Sequence, residues 1–144
     1  MIRKLKDEDL NKIMNIWLES TIKAHNFISE DYWKNNYNIV KEIYIPMAET
    51  FVYDDGLDIK GFISIINNEF IGALFVEINS QNLGIGSKLI DYTIRKYKNL
   101  NLAVYKNNKK AVSFYKTKGF KVVKEEVNED SGFQEYIMEI YFNE

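Results

Sequence analysis

Apolar residues recur along this chain with two periods, and the places where the period changes mark its elements. Ile2 to Leu5 reads as a short strand. Asp7 or Asp9 is placed to cap a helix carrying Ile13, Ile16 and Trp17 at helical spacing. Thr21 to Ser29 is less periodic and holds the only histidine, His25. Ser29, Glu30 and Asp31 open a second helix that carries Trp33, Tyr37, Val40 and Tyr44 and stops at Pro46. Alternation over Glu49 to Asp54 predicts a strand, and Asp55-Gly56 a turn. Ile59 to Ile66 and Phe70 to Ile78 read as two strands joined by a tight hairpin at Asn67-Asn68. The helical period returns at Ile85, Leu89, Ile90, Ile94 and Tyr97. Leu100 to Tyr105 is the next strand. Asn108 caps a further helix that Gly119 closes in a left-handed conformation. Phe120 to Val127 and Phe133 to Phe142 form the closing strands, with a turn through Asn128, Glu129, Asp130 and Gly132. Strands and helices do not alternate regularly, so the pattern predicts a mixed α/β sheet of about seven strands with about four helices on its faces.

One junction in this pattern carries chemistry. The strand ending at Ile78 runs through Gln81 to Ser87 into a helix, with Gly84 and Gly86 at the turn. The first N–H groups of a helix have no partner within it and lie at the positive end of its dipole, which suits an anion such as a phosphate. Glycines let the backbone turn sharply and approach a ligand closely. The dinucleotide fingerprint needs a third glycine where Leu89 stands, and an acid on the following strand, where Leu102 to Tyr105 offers none. The P-loop needs Gly-Lys-Ser/Thr, whereas Gly86 is followed by Ser87 and then Lys88. Spacing alone leaves a phosphate cradle and a plain tight turn both open.

Gln81-Asn82-Leu83-Gly84-Ile85-Gly86 resembles the Gln/Arg-x-x-Gly-x-Gly/Ala signature of the GNAT superfamily of acetyl-CoA-dependent N-acetyltransferases. Asn108-Lys109-Lys110-Ala111-Val112-Ser113-Phe114-Tyr115, followed by Lys118-Gly119-Phe120, is similar to that family's second signature. The two occur in the family's order, and the likeness covers nearly the whole chain. It implies a GNAT-like acyl-CoA fold, acetyl-CoA as co-substrate, and an amine acceptor. It implies a coenzyme site at Leu74, Phe75, Val76, Gln81, Asn82, Leu83, Gly84, Ile85, Gly86, Ser87, Asn108 and Tyr115. The N–H of Phe75 or Val76 would reach the acetyl oxygen. Tyr115 would protonate the departing thiolate, with Phe114 packed into the core; on spacing alone Tyr115 reads first as a core aromatic and Asn108 as a plain cap. Gln81 and Asn82 stand where many members have Arg-Gly. Lys88, Lys109, Lys110 and Lys116 are candidates to replace that charge, though each reads singly as a surface lysine.

Acyl transfer to an amine also needs the amine neutral, and an unperturbed lysine has a pKa of about 10.4. Glu77 is one candidate base, with Glu49 and His25 as others. The segment Ala24 to Ile28 with Tyr32-Trp33, followed by Glu49 to Tyr53, resembles a bacterial GNAT subgroup that includes protein-lysine acetyltransferases. That likeness makes His25, Phe27, Trp33, Glu49 and Tyr53 candidates for the acceptor pocket, although core packing explains the aromatic ones equally well.

Composition narrows the remaining classes. The 144 residues fit one domain over 1–144, with 46% hydrophobic and 15% aromatic residues for its core. A net charge of −2 gives no general attraction to nucleic acid or membrane. The absence of cysteine excludes disulfides, thiolate metal sites and a cysteine nucleophile, which fits direct transfer in a ternary complex. No metal is implied. No apolar run is long enough to span a bilayer, and no signal-peptide core is present, so a cytoplasmic monomer or homodimer is expected. A non-catalytic acetyl-CoA sensor or partner-binding module remains the alternative.

Overall fold

The computed structural model describes residues 1–141. Its centre is a seven-stranded mixed sheet: β1 (Ile2–Lys4), β2 (Glu49–Asp54), β3 (Ile59–Ile66), β4 (Phe70–Val76), β5 (Leu100–Tyr105), β7 (Gln134–Ile140) and β6 (Lys121–Val127), in that spatial order. Neighbours pair antiparallel except β4 and β5, which run parallel. Four main helices cover the faces: α1 (Leu10–Ala24), α2 (Glu30–Ile39), α4 (Ile85–Tyr97) and α5 (Lys109–Thr117). A three-residue helical turn, α3 (Ile45–Met47), precedes β2.

Strand alternation divides the core into two layers. Phe51, Ile63, Ile65, Ile71, Leu100, Leu102 and Val104 face α4 and α5. Val52, Phe62, Phe75 and Tyr105 face α1 and α2. The helices answer with apolar stripes, Ile85, Leu89, Ile90 and Ile94 on α4, and Ile13, Met14, Ile16 and Trp17 on α1.

Several element ends differ from the sequence reading. Asp9 does not cap α1 with its side chain. Its carboxylate reaches back to the Lys6 N–H at 2.8 Å and to the Arg3 guanidinium at 2.8 and 3.2 Å, so it ties β1 to the helix start. The second helix is not one regular rod. After Ile39 it widens into a π-helical segment, Val40–Tyr44, that runs on into α3, where Pro46 sits one residue before the last, so the proline marks the end of the rod. The last strand ends at Ile140; Phe142, placed in it by the sequence reading, lies outside the described residues.

The hairpin and caps form as read. Asn67 and Asn68 both have positive φ, 54° and 61°, and the Glu69 N–H closes the turn onto the Ile66 carbonyl at 3.2 Å, just before Ile66 pairs with Phe70. Ser29 Oγ accepts from the Asp31 N–H, and Asn108 Oδ1 from the Ala111 N–H. Gly119, at φ 103°, closes α5 as the Phe120 N–H bonds back to the Tyr115 carbonyl.

Candidate functional site

The parallel pair at the centre of the sheet is short. β4 and β5 are in register only at Phe70–Asn101 and Ile71–Leu102, and Ala73 to Val76 have no partner on that side among the described strands. On its other edge β4 stays paired to β3 through Val76. The two strands therefore open into a V. A cleft of about 720 Å³ occupies it, running from the α1 face to the start of α4.

Which backbone groups of β4 face the cleft follows from alternation, since a strand residue's N–H and C=O point the same way. The Glu77 N–H bonds the Lys60 carbonyl on β3 at 2.8 Å. Two residues back, Phe75 also faces β3, and Leu74 and Val76 face the cleft. Of the two N–H groups expected at the acetyl oxygen, Val76's is turned into the cleft and Phe75's away from it. The Val76 carbonyl accepts from Ser20 Oγ at 3.0 Å and from Gln81 Nε2 at 3.1 Å. Gln81, expected as an anion donor, thus spends an amide hydrogen on closing the mouth of the V.

The glycine turn lies at the cleft's far end. Gly84 caps α4 at φ 83°, a left-handed conformation that L side chains adopt only with strain. The first helical bond runs from the Lys88 N–H to the Gly84 carbonyl, which leaves the N–H groups of Ile85, Gly86 and Ser87 outside the ladder. Gly86 is open for a different reason. A Cβ there would meet only Val76 Cγ2 at 3.6 Å and Phe114 Cζ at 3.9 Å, ordinary contacts, and would stand in the cleft. Gly61, not singled out from the sequence, seats the turn on the sheet. A Cβ there would come within 3.0 Å of the Phe75 oxygen and 3.2 Å of Ile85 Cγ2.

Leu74, Phe75, Val76, Gln81, Asn82, Gly84, Ile85, Gly86, Ser87, Asn108 and Tyr115 all line this cleft. Leu83 does not; its side chain points into solvent, 68% exposed. Tyr115 packs more deeply than its neighbour, reversing the expected roles. It is 8% exposed, against Phe120 at 5.5 Å and Phe114 at 5.3 Å, while the half-buried Phe114 also lines the cleft. Burial pushes the Tyr115 phenol above its usual range, so it holds its proton at neutral pH.

The remaining candidates separate. Glu77 lies off the cleft lining, its carboxylate 3.4 Å from Lys60 Nζ and 3.9 Å from Lys12 Nζ. Glu49 meets the Tyr97 hydroxyl at the opposite end of α4 from the glycine turn. Tyr53 packs on the α4 side, with Lys88 Nζ 5.6 Å above its ring. His25, Phe27 and Trp33 do come together, as one aromatic cluster with Tyr105 and Phe133 beneath α1 and α2.

Of the lysines that take places at the site, Lys110 is a candidate from the sequence, and Lys23 and Lys118 are not. Lys23 and Lys110 line the cleft, and Lys88, Lys109 and Lys116 do not. Lys118 Nζ bonds Ser87 Oγ and pairs with Asp91 at 3.0 Å, which clamps the end of α5 to the first turn of α4. The signal for Lys118 was its position beside the Gly119-Phe120 pair.

Comparison with known proteins agrees with this geometry. The family model described as an acetyltransferase (GNAT) domain matches residues 16–142. The peptidyl-lysine N-acetyltransferase YiaC of Escherichia coli strain K12 is 35% identical over 123 residues, 85% of this chain and 84% of YiaC. YjaB of the same organism, also a peptidyl-lysine N-acetyltransferase, is 27% identical over 131 residues, 91% of this chain and 88% of its own. The crystal structure of PaiA N-acetyltransferase from Thermoplasma acidophilum in complex with coenzyme A superposes with a TM-score of 0.82 at 25% identity, covering 99% of this chain and 98% of that one. A strand edge, a helix start and a tyrosine arranged around one cleft, with sequence likeness over most of its length, mean that the chain belongs to the GNAT family of acetyltransferases.

Proposed function

We propose that this protein transfers the acetyl group of acetyl-CoA to the side-chain amine of a lysine in another protein, by direct attack of the amine on the thioester. The observation that carries the reading is the convergence on one cleft of the unpaired β4 edge at Leu74–Val76, the open start of α4 at Gly84–Ser87, and the Tyr115 phenol. A protein lysine as acceptor is supported by the activities for which YiaC and YjaB are named.

Acetyl-CoA brings the activated acyl carbon and a thiol leaving group. This chain's own residues supply the rest. The N–H groups of Ile85, Gly86 and Ser87, with the ammonium groups of Lys23 and Lys110, suit the phosphates. The N–H of Val76 suits an oxygen that gains negative charge. The Tyr115 phenol keeps a proton for the departing sulfur. Among the described residues that line the cleft there is no Asp, Glu or His. On this reading, solvent takes the proton of the incoming ammonium.

The test offers acetyl-CoA with three acceptors in parallel: a lysine peptide with a blocked N-terminus, a lysine-free peptide with a free N-terminus, and a polyamine. Thiol release and mass spectrometry should show turnover with the first and one acetyl group on its lysine. Turnover with only the second or third would move the acceptor class. Tight CoA binding with no turnover in any arm would point to a sensor.

A further inference from the structure

The only histidine of the chain stands just outside the cleft, yet it is bonded to a residue that lines it. His25 is 7% exposed, its ring 5.1 Å from Trp33, 5.2 Å from Tyr105 and 5.9 Å from Phe27. Its Nδ1 lies 2.9 Å from the Thr21 carbonyl oxygen and 3.1 Å from the Thr21 hydroxyl, which can accept from it as well, and its Nε2 3.2 Å from Asn108 Nδ2.

These partners fix the protons. A carbonyl oxygen only accepts, so Nδ1 carries the hydrogen. In the neutral ring Nε2 is then a bare acceptor. Asn108 faces it with its NH₂ group, because Asn108 Oδ1 is turned the other way to accept from the Ala111 N–H at 3.3 Å. One hydrogen of the NH₂ goes to His25, and the second is left over on the side chain that lines the cleft. The last turn of α1 is thereby tied to the first turn of α5.

We propose that His25 is a positioning residue that orients the Asn108 amide, and through it the start of α5, at the wall of the coenzyme cleft. This rests on the reading of that cleft as the CoA site. A protonated His25 would present a second N–H to the Asn108 NH₂, and two donors cannot bond. The amide would have to turn and give up its cap on α5. Protonation gains only from the Thr21 carbonyl at Nδ1, and burial outweighs that gain. The ring is packed by Thr21 of α1, Phe27, Trp33 of α2, Tyr105 of β5 and Asn108. Tyr105 is the one titratable group among them, and its hydroxyl bonds Ser131 Oγ. Lys23 and Lys110, on the same two helices, add only positive charge to the cleft.

With one histidine in the chain, its ring nitrogens are assignable by NMR without ambiguity. Wild type should show Nδ1 protonated and Nε2 as a hydrogen-bonded bare nitrogen, and Asn108→Ala should move the Nε2 signal to that of an unbonded one. Calorimetry with free CoA should show roughly tenfold weaker binding for His25→Phe, about the worth of one aligned hydrogen bond, with recovery in His25→Gln, whose carbonyl restores an acceptor. Affinity in wild type should fall as His25 gains its proton, beyond any change in His25→Phe, where the phosphates of CoA titrate alike. An Nε2–H tautomer, ring signals indifferent to Asn108→Ala, or unchanged CoA affinity in folded His25→Phe would each overturn the proposal. Failure of wild type to bind CoA would instead remove the cleft reading, and the ring signals would still decide the His25–Asn108 link.

Discussion

Tyr115 shows what a single residue does here that its position in the sequence does not reveal. Helical spacing marks it as a core aromatic, and it is one, packed against Phe120. The phenol is protonated at neutral pH, as any tyrosine is, and the burial that packs the ring raises its pKa further. Tyr115→Phe should preserve the fold and CoA affinity and slow single-turnover acetylation by about 10²- to 10⁴-fold, the usual range of general acid catalysis. A rate within about twofold of wild type, against the at least ~10² expected of a lost acid, would leave Tyr115 a packing residue. Glu77 is the contrasting case. Its place just past the strand made it a candidate base, but its carboxylate lies beside Lys12 and Lys60. Glu77→Gln should leave the pH profile of kcat/KM unchanged, rising toward the pKa of the acceptor amine, about 10.4 for an unperturbed lysine. A plateau near neutral pH that Glu77→Gln abolishes would restore the carboxylate as base.

Elements were more legible than their ends. Strand alternation and helical period placed all seven strands, because the central strands β2 to β5 show one face to each core layer and the main helices bury one stripe, while β6 is exposed along most of its length. What the pattern could not show was decided by tertiary partners. Asp9 leaves its cap for Arg3, and α2 widens to a π-helical segment before Pro46. The glycine turn was read as one unit, but its glycines differ. At Gly84 a side chain strains the backbone, whatever the space around it. At Gly86 the conformation is ordinary and the space belongs to the cleft. Gly86→Glu should therefore melt near wild type and lose CoA binding by calorimetry, whereas Gly84→Ala should lose stability by about 1–2 kcal/mol in denaturant. Equal CoA affinity in folded Gly86→Glu would separate the turn from the phosphates.

At the scale of the whole molecule, His25 and Asp9 each tie distant elements together, and both respond to acid. His25 links α1 to α5, and burial lowers its pKa below 6.5. The folded state thus resists a proton that the unfolded chain takes up, so stability is lost as pH falls from about 6.5. Asp9 is held below its usual 3.8 first by its hydrogen bond to Arg3, so its contribution, present above that pH, is lost as pH falls through the carboxylate range. Glu135 acts in the opposite sense, since burial raises its pKa. Thermal melts should show a decline beginning near pH 6.5 in wild type that is absent in His25→Phe, and a second, lower decline that Asp9→Asn shifts. A melting temperature flat from pH 7 to 5 would contradict the first assignment. No helix among the described residues is long and apolar enough to cross a membrane.

The glycine loop, the β4 strand and Tyr115 were legible because motif residues must lie close in sequence to shape one turn or one helix. The acceptor side was not, because its candidates are spread over the connection from α1 to α2, α2 itself and β2. The fold gathers His25, Phe27 and Trp33 and sends Glu49 to the far end of α4. What unites the legible part is the open edge of β4, and amide hydrogen exchange reads that edge directly. In the free protein the N–H of Phe75 and Glu77, turned to β3, should exchange slowly, and those of Leu74 and Val76 should exchange fast. On adding acetyl-CoA, Val76 and the Ile85–Ser87 turn should become protected while Phe75 and Glu77 hardly change. Protection that appears elsewhere, with Val76 and the turn still exchanging freely, would contradict the cleft as the site of the acetyl donor.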